Sequence, residues 1–406
     1  MQLRHNILKM YLLKAVLWFM VAMPIIVLFF QEHGLTLTEV MILQSIYSFS
    51  VAFFEIPSGF IADIFGRKRT IVLSTIFTFI GFLVFSFSGA EISCVFVGNP
   101  FLITFPGGFY AFAIAQVLVG LGGSLMSGSD SAIIYDTLLE TNRENSYTKI
   151  EGRTYAIGNF SEGFAGILGG FLAVGSIYMP IYVQTFILFF SIPIAFTLIE
   201  PTIHNENILN RSFKAVLEVV RFALVDNQKL KWLIIYSSSI GVATLSMAWF
   251  AQPFFKAINI PLAYFGVLWA VLNVSAGFTS FNAYRLENKY NNYKILIYIS
   301  LSVIISFILL GLNFSIFGLI FILFVYLLRG LVTPILRNAI NENTTSNKRA
   351  TVLSIRSLII RVSFAISAPI LGYIADNYSL AKSFYGLAIL VGFFSILSAI
   401  KLYRIR

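Results

Sequence analysis

The stretch EIPSGFIADIFGRKRT, from Glu55 to Thr70, begins inside an apolar run and ends with three consecutive cations. It holds a glutamate shortly before a proline and an aspartate further on. Only 11% of the 406 residues are charged and 58% are hydrophobic, whereas a soluble domain carries roughly twice that charged fraction. Acidic groups inside a membrane need a partner, water or a substrate, so the surroundings of this stretch decide how it is interpreted.

Apolar runs of the length that crosses a bilayer as a helix recur along the chain. The first of them, YLLKAVLWFMVAMPIIVLFF, continues into polar residues without a small-residue cleavage site, so it is a span and not a removable signal. The sequence predicts an all-α integral membrane protein in a lipid bilayer. Twelve spans are centred near Val21, Phe49, Phe79, Val117, Ile167, Phe189, Ile240, Val271, Val303, Leu323, Ile366 and Leu390.

The cations fall on one side of these spans. The connections after even-numbered spans and the two termini hold nearly all of them, and the other connections hold only Lys256 and Lys382. Because loops that face the cytoplasm are rich in lysine and arginine, both termini are predicted to be cytoplasmic. Abundant Asn, Ile, Lys and Phe suggest an AT-rich bacterial genome, so the expected membrane is a bacterial cytoplasmic membrane. The net charge of +10 then reflects topology, and no nucleic-acid partner is expected.

The longest predicted cytoplasmic connection divides the spans into six and six. We predict a first bundle over residues 1–200, a linker with an amphipathic helix over 201–231, and a second bundle over 232–406. Cys94 is the single cysteine, so no internal disulfide can form. The protein is expected to work as a monomer.

Within the opening stretch, GFIADIFGRKR resembles the signature of the major facilitator superfamily at the cytoplasmic end of the second span. The matching residues are Gly59, Asp63, Gly66, Arg67 and Lys68. The resemblance implies two pseudo-symmetric six-helix bundles that move a small molecule by alternating access. It implies a transporter and not an enzyme, with no cofactor and no metal.

Each signature residue has a physical role that the resemblance suggests. Gly59 would let the second span approach a neighbouring helix, and Asp63 would face the positive N-terminus of span eleven. Gly66 would permit the tight turn, and Arg67 would pair with Asp136 at the end of span four. By resemblance these contacts latch the two halves in the outward-facing state; the alternative is that the signature only anchors the topology.

The direction of transport is less strongly indicated. The family's antiporters carry an arginine in span four where this chain has Gln116, and their span-five motif is only partly kept here, in Gly169 and Gly170. An exporter of the drug or metabolite branch is the first expectation. A proton symporter, importer or facilitator is the alternative.

Several charges lie inside the predicted spans. Glu55 in span two and Arg361 in span eleven lie at similar depths and form a candidate pair. Glu162, Asp130 and Arg329 complete the set. One interpretation is a set of salt bridges that hold helix register. The other is proton coupling, because a carboxylate that loses its cationic partner binds a proton more readily. The candidate carriers, in order, are Glu55, Glu162 and Asp130.

By resemblance, the substrate cavity is lined by spans one, four, seven and ten. The candidate contacts there are Trp18, Gln116, Tyr236, Tyr326 and Arg329. Such a lining is largely apolar, which favours amphiphilic compounds over sugars. Three histidines and one cysteine do not supply the usual groups of a membrane acyltransferase, and the chain lacks the Gly-Lys-(Ser/Thr) phosphate loop of an ATP-driven pump.

Overall fold

The structure of the chain is a computed structural model. It describes residues 2–88, 91–96, 99–104, 108–202, 218–287, 294–345 and 348–405. The chain forms two compact units. The first comprises Met1–Glu206 and Leu262–Val267, and the second comprises Asn207–Pro261 and Leu268–Arg406. Most of the predicted amphipathic linker helix lies outside the described residues, and its end continues as a π-helix over Phe222–Asp226.

In the described residues of the first unit there are nine α-helices, labelled in chain order. They are α1 (His5–Leu17), α2 (Ile26–Glu32), α3 (Leu37–Phe65), α4 (Arg67–Phe87), α5 (Phe109–Met126), α6 (Ser129–Glu140), α7 (Tyr147–Gly175), α8 (Met179–Phe189) and α9 (Ser191–Phe196). Short 3-10 turns cover Gln2–Arg4 and Glu144–Ser146. Between α4 and α5 the strands β1 (Glu91–Phe96) and β2 (Asn99–Thr104) pair as an antiparallel hairpin.

The second unit contains the remaining long helices. They are α10 (Gln228–Ala257), α11 (Ala263–Glu287), α12 (Lys294–Leu312), α13 (Gly318–Glu342), α14 (Arg349–Asn377) and α15 (Leu380–Arg404). The start of α11 clusters with the first unit.

The membrane architecture predicted from the sequence is confirmed. Ten helical segments among the described residues are long and apolar enough to cross a bilayer. The ninth predicted span is the shorter apolar helix Leu296–Leu312, and the first is divided between α1 and α2. The chain therefore has the twelve-span, all-α membrane fold, to which the hairpin after the third span is an addition.

The long apolar run of the first span predicts one continuous helix, but the structure divides this span into two helices. Helix α1 ends at Leu17 and α2 begins at Ile26, with Pro24 in the interval. Proline has no N–H to donate and disfavours helical backbone at the residue before it. The backbone N–H of Ala22 in this interval points to Oε1 of the buried Gln184 in α8, at 3.5 Å. A side chain of another span thus replaces a lost helical hydrogen bond.

The fourth span is also divided. Helix α5 ends at Met126, and α6 begins after Gly128, whose φ of +80° is a left-handed conformation that glycine adopts without strain. Before this break the glycines of α5 pack closely on other helices. A Cβ on Gly120 would lie 2.7 Å from the Cβ of Ser50 in α3, and Gln116, one turn earlier, is buried. The glycines of α5 therefore form a packing seam, and the span breaks at Gly128, beyond that seam.

An apolar cluster packs the second half of α1 against α4 and α6. Met10 and Leu13 are almost completely buried there with Ile71 and Ile133. Nearby, Asn6 donates hydrogen bonds from Nδ2 to the Ile199 carbonyl (2.8 Å) and to the hydroxyl of the buried Thr137. These contacts set the position of the next turn of α1.

Candidate functional site

Lys14 and Asp130 form an ion pair at the meeting point of the two broken spans. The lysine Nζ lies 3.6 Å from Oδ2 of Asp130, and the two side chains are 19% and 21% exposed. Lys14 lies in the last turn of α1 and Asp130 in the first turn of α6. A cation at a helix C-terminus and an anion at a helix N-terminus are both favoured by the helix dipoles. The two breaks create these helix ends and so support the pair.

A second carboxylate joins this pair through a serine. Oδ1 of Asp130 accepts a hydrogen bond from the Ser131 N–H at 2.8 Å, and the Ser131 hydroxyl donates to Oε1 of Glu151 at 2.8 Å. Oε2 of Glu151 is buried and has no hydrogen-bond partner among the described residues. A buried polar atom without a partner requires an explanation, because leaving it unpaired costs about 1–3 kcal/mol.

The cluster of Lys14, Asp130 and Glu151 gathers one cation and two carboxylates from three helices. By formal charge it carries one net negative charge. The oxygen of Glu151 without a described partner is its open hydrogen-bonding position.

Helix α7 holds the unwound interval of the first span from one side. The ring of Trp18, the residue that ends α1, lies beneath Nζ of Lys14 at 4.7 Å from its centroid. A Cβ added to Gly158 of α7 would lie 3.1 Å from this ring, and one added to Gly169 would overlap the carbonyl oxygen of Val21. Both glycines let α7 approach the interval more closely than any other residue would allow.

The signature loop lies between α3 and α4. Gly66 has φ +93°, and Nη1 of Arg67 lies 2.5 Å from Oδ2 of Asp136 in α6. The turn and the ion pair that the sequence predicts are therefore both present. The backbone N–H groups of Arg67 and Lys68 donate to the two carboxylate oxygens of Glu200, each at 2.7 Å. Glu200 thus supplies negative charge at the N-terminus of α4.

At Gly59 and Asp63 the structure adds no support for the predicted latch. A Cβ on Gly59 would meet no atom within 4 Å in the described part of the structure, so the expected close helix approach at Gly59 is wrong. The reason is that this face of α3 is exposed at Gly59. The side chain of Asp63 lies outside the described residues, and its predicted role stays a prediction.

A family model described as Major Facilitator Superfamily matches residues 10–335 of the chain. The chain belongs to the Major Facilitator Superfamily. Its relatives include the MFS-type transporter YxaM of Bacillus subtilis, 22% identical over 380 residues, which cover 90% of this chain and 88% of YxaM. The MFS-type transporter MJ1560 of Methanocaldococcus jannaschii is 22% identical over 391 residues, which cover 94% of this chain and 93% of MJ1560.

Solved structures of the superfamily share the fold at low sequence identity. A mutant of the nucleoside transporter NupG superposes with a TM-score of 0.78 at 13% identity, covering 99% of both chains. A bacterial homolog of the human lysosomal transporter Spinster gives 0.77 at 13% identity, covering 100% of this chain and 98% of the other. A D-xylose–proton symporter gives 0.72 at 14% identity, covering 98% and 96%. These similarities support the superfamily fold and do not assign a substrate.

The other predicted charges are spread over this superfamily fold. Glu55 in α3 and Glu162 in α7 are both half-buried, and each has an interaction partner. Arg361 is half-buried in α14 of the second unit. Its pairing with Glu55 would join the two units and stays a prediction, as do the roles of both glutamates in proton coupling.

The structure places the predicted cavity residues in different settings. Tyr236 is completely buried in the second unit, and its hydroxyl donates to the Leu296 carbonyl at 2.8 Å. This contact favours a packing role over the predicted substrate contact. Tyr326 lies beneath the exposed guanidinium of Arg329, 5.6 Å from the ring centroid. The ring of Trp18 lies beneath Lys14, next to the cluster of Lys14, Asp130 and Glu151.

Sequence reasoning did not identify Lys14, Glu151 and Glu200. Lys14 is the only charged residue in the run YLLKAVLWFMVAMPIIVLFF, and that isolation is a signal that could have revealed it. Glu151 lies in the first turns of α7, which begins at Tyr147, and no sequence motif marks it. Glu200 directly follows the sixth span. The sequence around an acid at the end of a span does not indicate which distant residue it contacts.

Proposed function

We propose that the chain couples the transport of a small molecule to protons, and that the cluster of Lys14, Asp130 and Glu151 is the proton-binding site. Superfamily membership establishes membrane transport of a small molecule. The observation that carries the proton proposal is the Lys14–Asp130 ion pair at the two helix breaks, next to the unpartnered oxygen of Glu151. If a conformational change separates Lys14 from Asp130, proton uptake by the carboxylates is favoured.

We further propose efflux of an amphiphilic compound from the cytoplasm of a bacterial cell, by a monomeric antiporter with both termini inside. The cation distribution supports the orientation of the termini, the largely apolar predicted cavity supports the substrate class, and the partly kept span-five motif with Gly169 and Gly170 supports the direction. Import by symport or facilitation is the alternative, and Gln116 at the antiporter arginine position favours it. Glu55 and Glu162 remain alternative proton carriers.

The test uses everted membrane vesicles with a respiration-driven pH gradient, monitored by a pH-sensitive dye, and a panel of amphiphilic cations, anions and neutral compounds. We expect at least one compound to dissipate the gradient in vesicles with the wild-type chain. The variants Asp130→Asn and Glu151→Gln should abolish this response, since neither can exchange the proton. The matched control is Glu144→Gln, which removes an exposed carboxylate just before α7.

Two results would decide against parts of the proposal. A full response with both Asp130→Asn and Glu151→Gln would exclude this cluster as the proton site. A response only in right-side-out vesicles would favour import over efflux.

A further inference from the structure

The segment of chain that follows α9 is fixed to the first helix through its backbone. Asn6 of α1 is completely buried. Its Oδ1 accepts a hydrogen bond from the Ile199 N–H at 3.0 Å, and its Nδ2 donates to the Ile199 carbonyl at 2.8 Å. Lys9, about one turn further along α1, donates to the Thr197 carbonyl. The next residue after Ile199, Glu200, therefore extends from a backbone that is already held in place.

Glu200 caps the first turn of α4, a helix whose own N-cap residue cannot do so. That N-cap residue is Gly66, which has no side chain to accept a hydrogen bond. The first N–H groups of a helix have no partner inside the helix. The two carboxylate oxygens of Glu200 accept the N–H groups of Arg67 and Lys68, each at 2.7 Å, and hydrogen bonds to an ionised acceptor are roughly twice as strong as neutral ones. Glu200 therefore fixes the backbone from which the Arg67 side chain extends.

Gly66 leaves room for this carboxylate. A Cβ on Gly66 would lie 3.0 Å from both Cδ and Oε2 of Glu200, which is closer than the optimal separation of nonbonded atoms. The φ of Gly66 is +93°, a conformation that glycine adopts at no steric cost. The glycine of the signature thus serves the turn and also the approach of Glu200.

The segment after α9 also contacts α6. The Thr202 N–H donates to Oε2 of Glu140 at 2.7 Å. Glu140 lies one turn after Asp136, whose carboxylate pairs with the guanidinium of Arg67. The segment after α9 is thus bound to α4 and to α6, the two helices that this ion pair joins. Together these contacts form a closed ring within the first unit.

We propose that Glu200 is a positioning residue of the signature loop, because by fixing the first turn of α4 it orients the guanidinium of Arg67 toward Asp136. Glu200 acts on the backbone of Arg67, whereas Asp136 contacts its side chain. The predicted linker to the second bundle begins directly after Glu200 in the sequence. The start of the linker is therefore part of the support of the signature loop.

This role belongs to a transporter of the superfamily and does not depend on proton coupling, on the direction of transport or on the substrate. The alternative is that Glu200 is a helix cap and nothing more. A cap alone would stabilise α4 but would leave the strength of the Arg67–Asp136 pair unchanged. The two roles therefore differ in whether a change at Glu200 alters the interaction between two other residues, which double-mutant cycles measure.

The experiment is a double-mutant cycle of Arg67→Gln and Asp136→Asn, measured by thermal unfolding of the purified full chain in a neutral detergent. It is carried out in the wild type, in Glu200→Gln and in Glu200→Asp. We expect non-additive shifts of the unfolding temperature in the wild type. Both Glu200 variants should lose most of this non-additive part, because glutamine has one acceptor oxygen instead of two and aspartate is one methylene shorter. Glu200→Asp keeps the charge and decides the question if Glu200→Gln does not fold.

Asn227→Ala is the matched control. Oδ1 of Asn227 caps the first turn of α10 in the second unit by accepting the Leu230 N–H at 3.0 Å. Loss of this cap should lower the unfolding temperature and leave the Arg67–Asp136 coupling as it is in the wild type. Unchanged coupling in the Glu200 variants, or additive shifts in the wild type, would overturn the proposal. Equal loss of coupling in Asn227→Ala would also overturn it, because the loss would then follow from general destabilisation.

Discussion

The two units differ in whether their corresponding spans are divided or continuous helices. In the first unit, spans one and four are each divided, between α1 and α2 and between α5 and α6. In the second unit, spans seven and ten are the uninterrupted helices α10 and α13, of 30 and 25 residues. Both of these helices contain a proline, Pro253 and Pro334. A proline alone therefore does not decide where a span divides; the neighbouring helices must also accept the unwound backbone.

The charged contacts of the two units also differ. Next to the breaks of the first unit, Lys14 faces Asp130, with Glu151 one serine away. In the second unit, Arg356 of α14 donates instead to the neutral hydroxyl of Ser237 in α10. The helix breaks of the first unit thus bring opposite charges together, whereas this arginine of the uninterrupted helices meets a neutral partner.

The packing between corresponding helices is reversed as well. In the first unit the large residue Trp18 lies on the first span, against Gly158 of the fifth. In the second unit the glycine is on span seven, where a Cβ on Gly241 would lie 2.9 Å from Ile360 of span eleven. In both units the two corresponding spans pack a large side chain against a glycine, but the glycine lies on the fifth span in the first unit and on the seventh span in the second.

The largest effect should come from Gly169→Ala. The new methyl group would overlap the carbonyl oxygen of Val21, and backbone cannot move aside as a side chain can. We expect a loss of about 1–3 kcal/mol in stability, measured by thermal unfolding in detergent. Gly241→Ala in the second unit should cost less, because the atoms that it meets belong to the Ile360 side chain.

Gly163→Ala on the same helix as Gly169 is the control. It has open space around its Cβ position, so it should be neutral or stabilising by up to about 1 kcal/mol. Equal stability of the Gly169 and Gly163 variants would mean that α7 does not hold the divided first span.

A smaller effect is expected from Gly128→Ala at the break of span four. No atom lies within 4 Å of the added Cβ, so the cost is the left-handed backbone alone, about 1–2 kcal/mol. Thermal unfolding should show this loss, while Gly152→Ala, also in open space but without a positive φ, should not. A neutral Gly128→Ala would indicate that the fourth span can be continuous, which would remove this difference between the units.

The smallest effect is expected from the charge deletion Lys14→Gln. It leaves Asp130 and Glu151 without their cation and should lower stability by about 1 kcal/mol at neutral pH. Arg337→Gln is the control, because it removes an exposed cation of the second unit and should change stability little. Thermal unfolding of both variants in one buffer compares them, and an equal loss in both would mean that the Lys14–Asp130 pair does not contribute to stability.

Part of the site was predictable because its signal is local. The turn at Gly66 and the pairing of Arg67 with Asp136 follow from a short motif at a known place in the topology, and both are present. The cluster of Lys14, Asp130 and Glu151 was not predicted, although Asp130 itself was a candidate. Lys14 lies more than a hundred residues before Asp130 and Glu151 in the sequence, and the ion pair depends on two helix ends that appear only where the spans divide.

Hydropathy and the distribution of lysine and arginine are sufficient to predict a twelve-span membrane protein, because the cost of burying polar backbone and charge in lipid acts on each segment independently. The assignment to a transporter family needs the short signature and the family match. Tertiary packing decided which spans divide and which charges meet. The unwound interval after Lys14 is held by contacts with Gln184, Gly169 and Gly158. These residues lie on neighbouring helices, so the sequence of the first span alone does not specify the contacts.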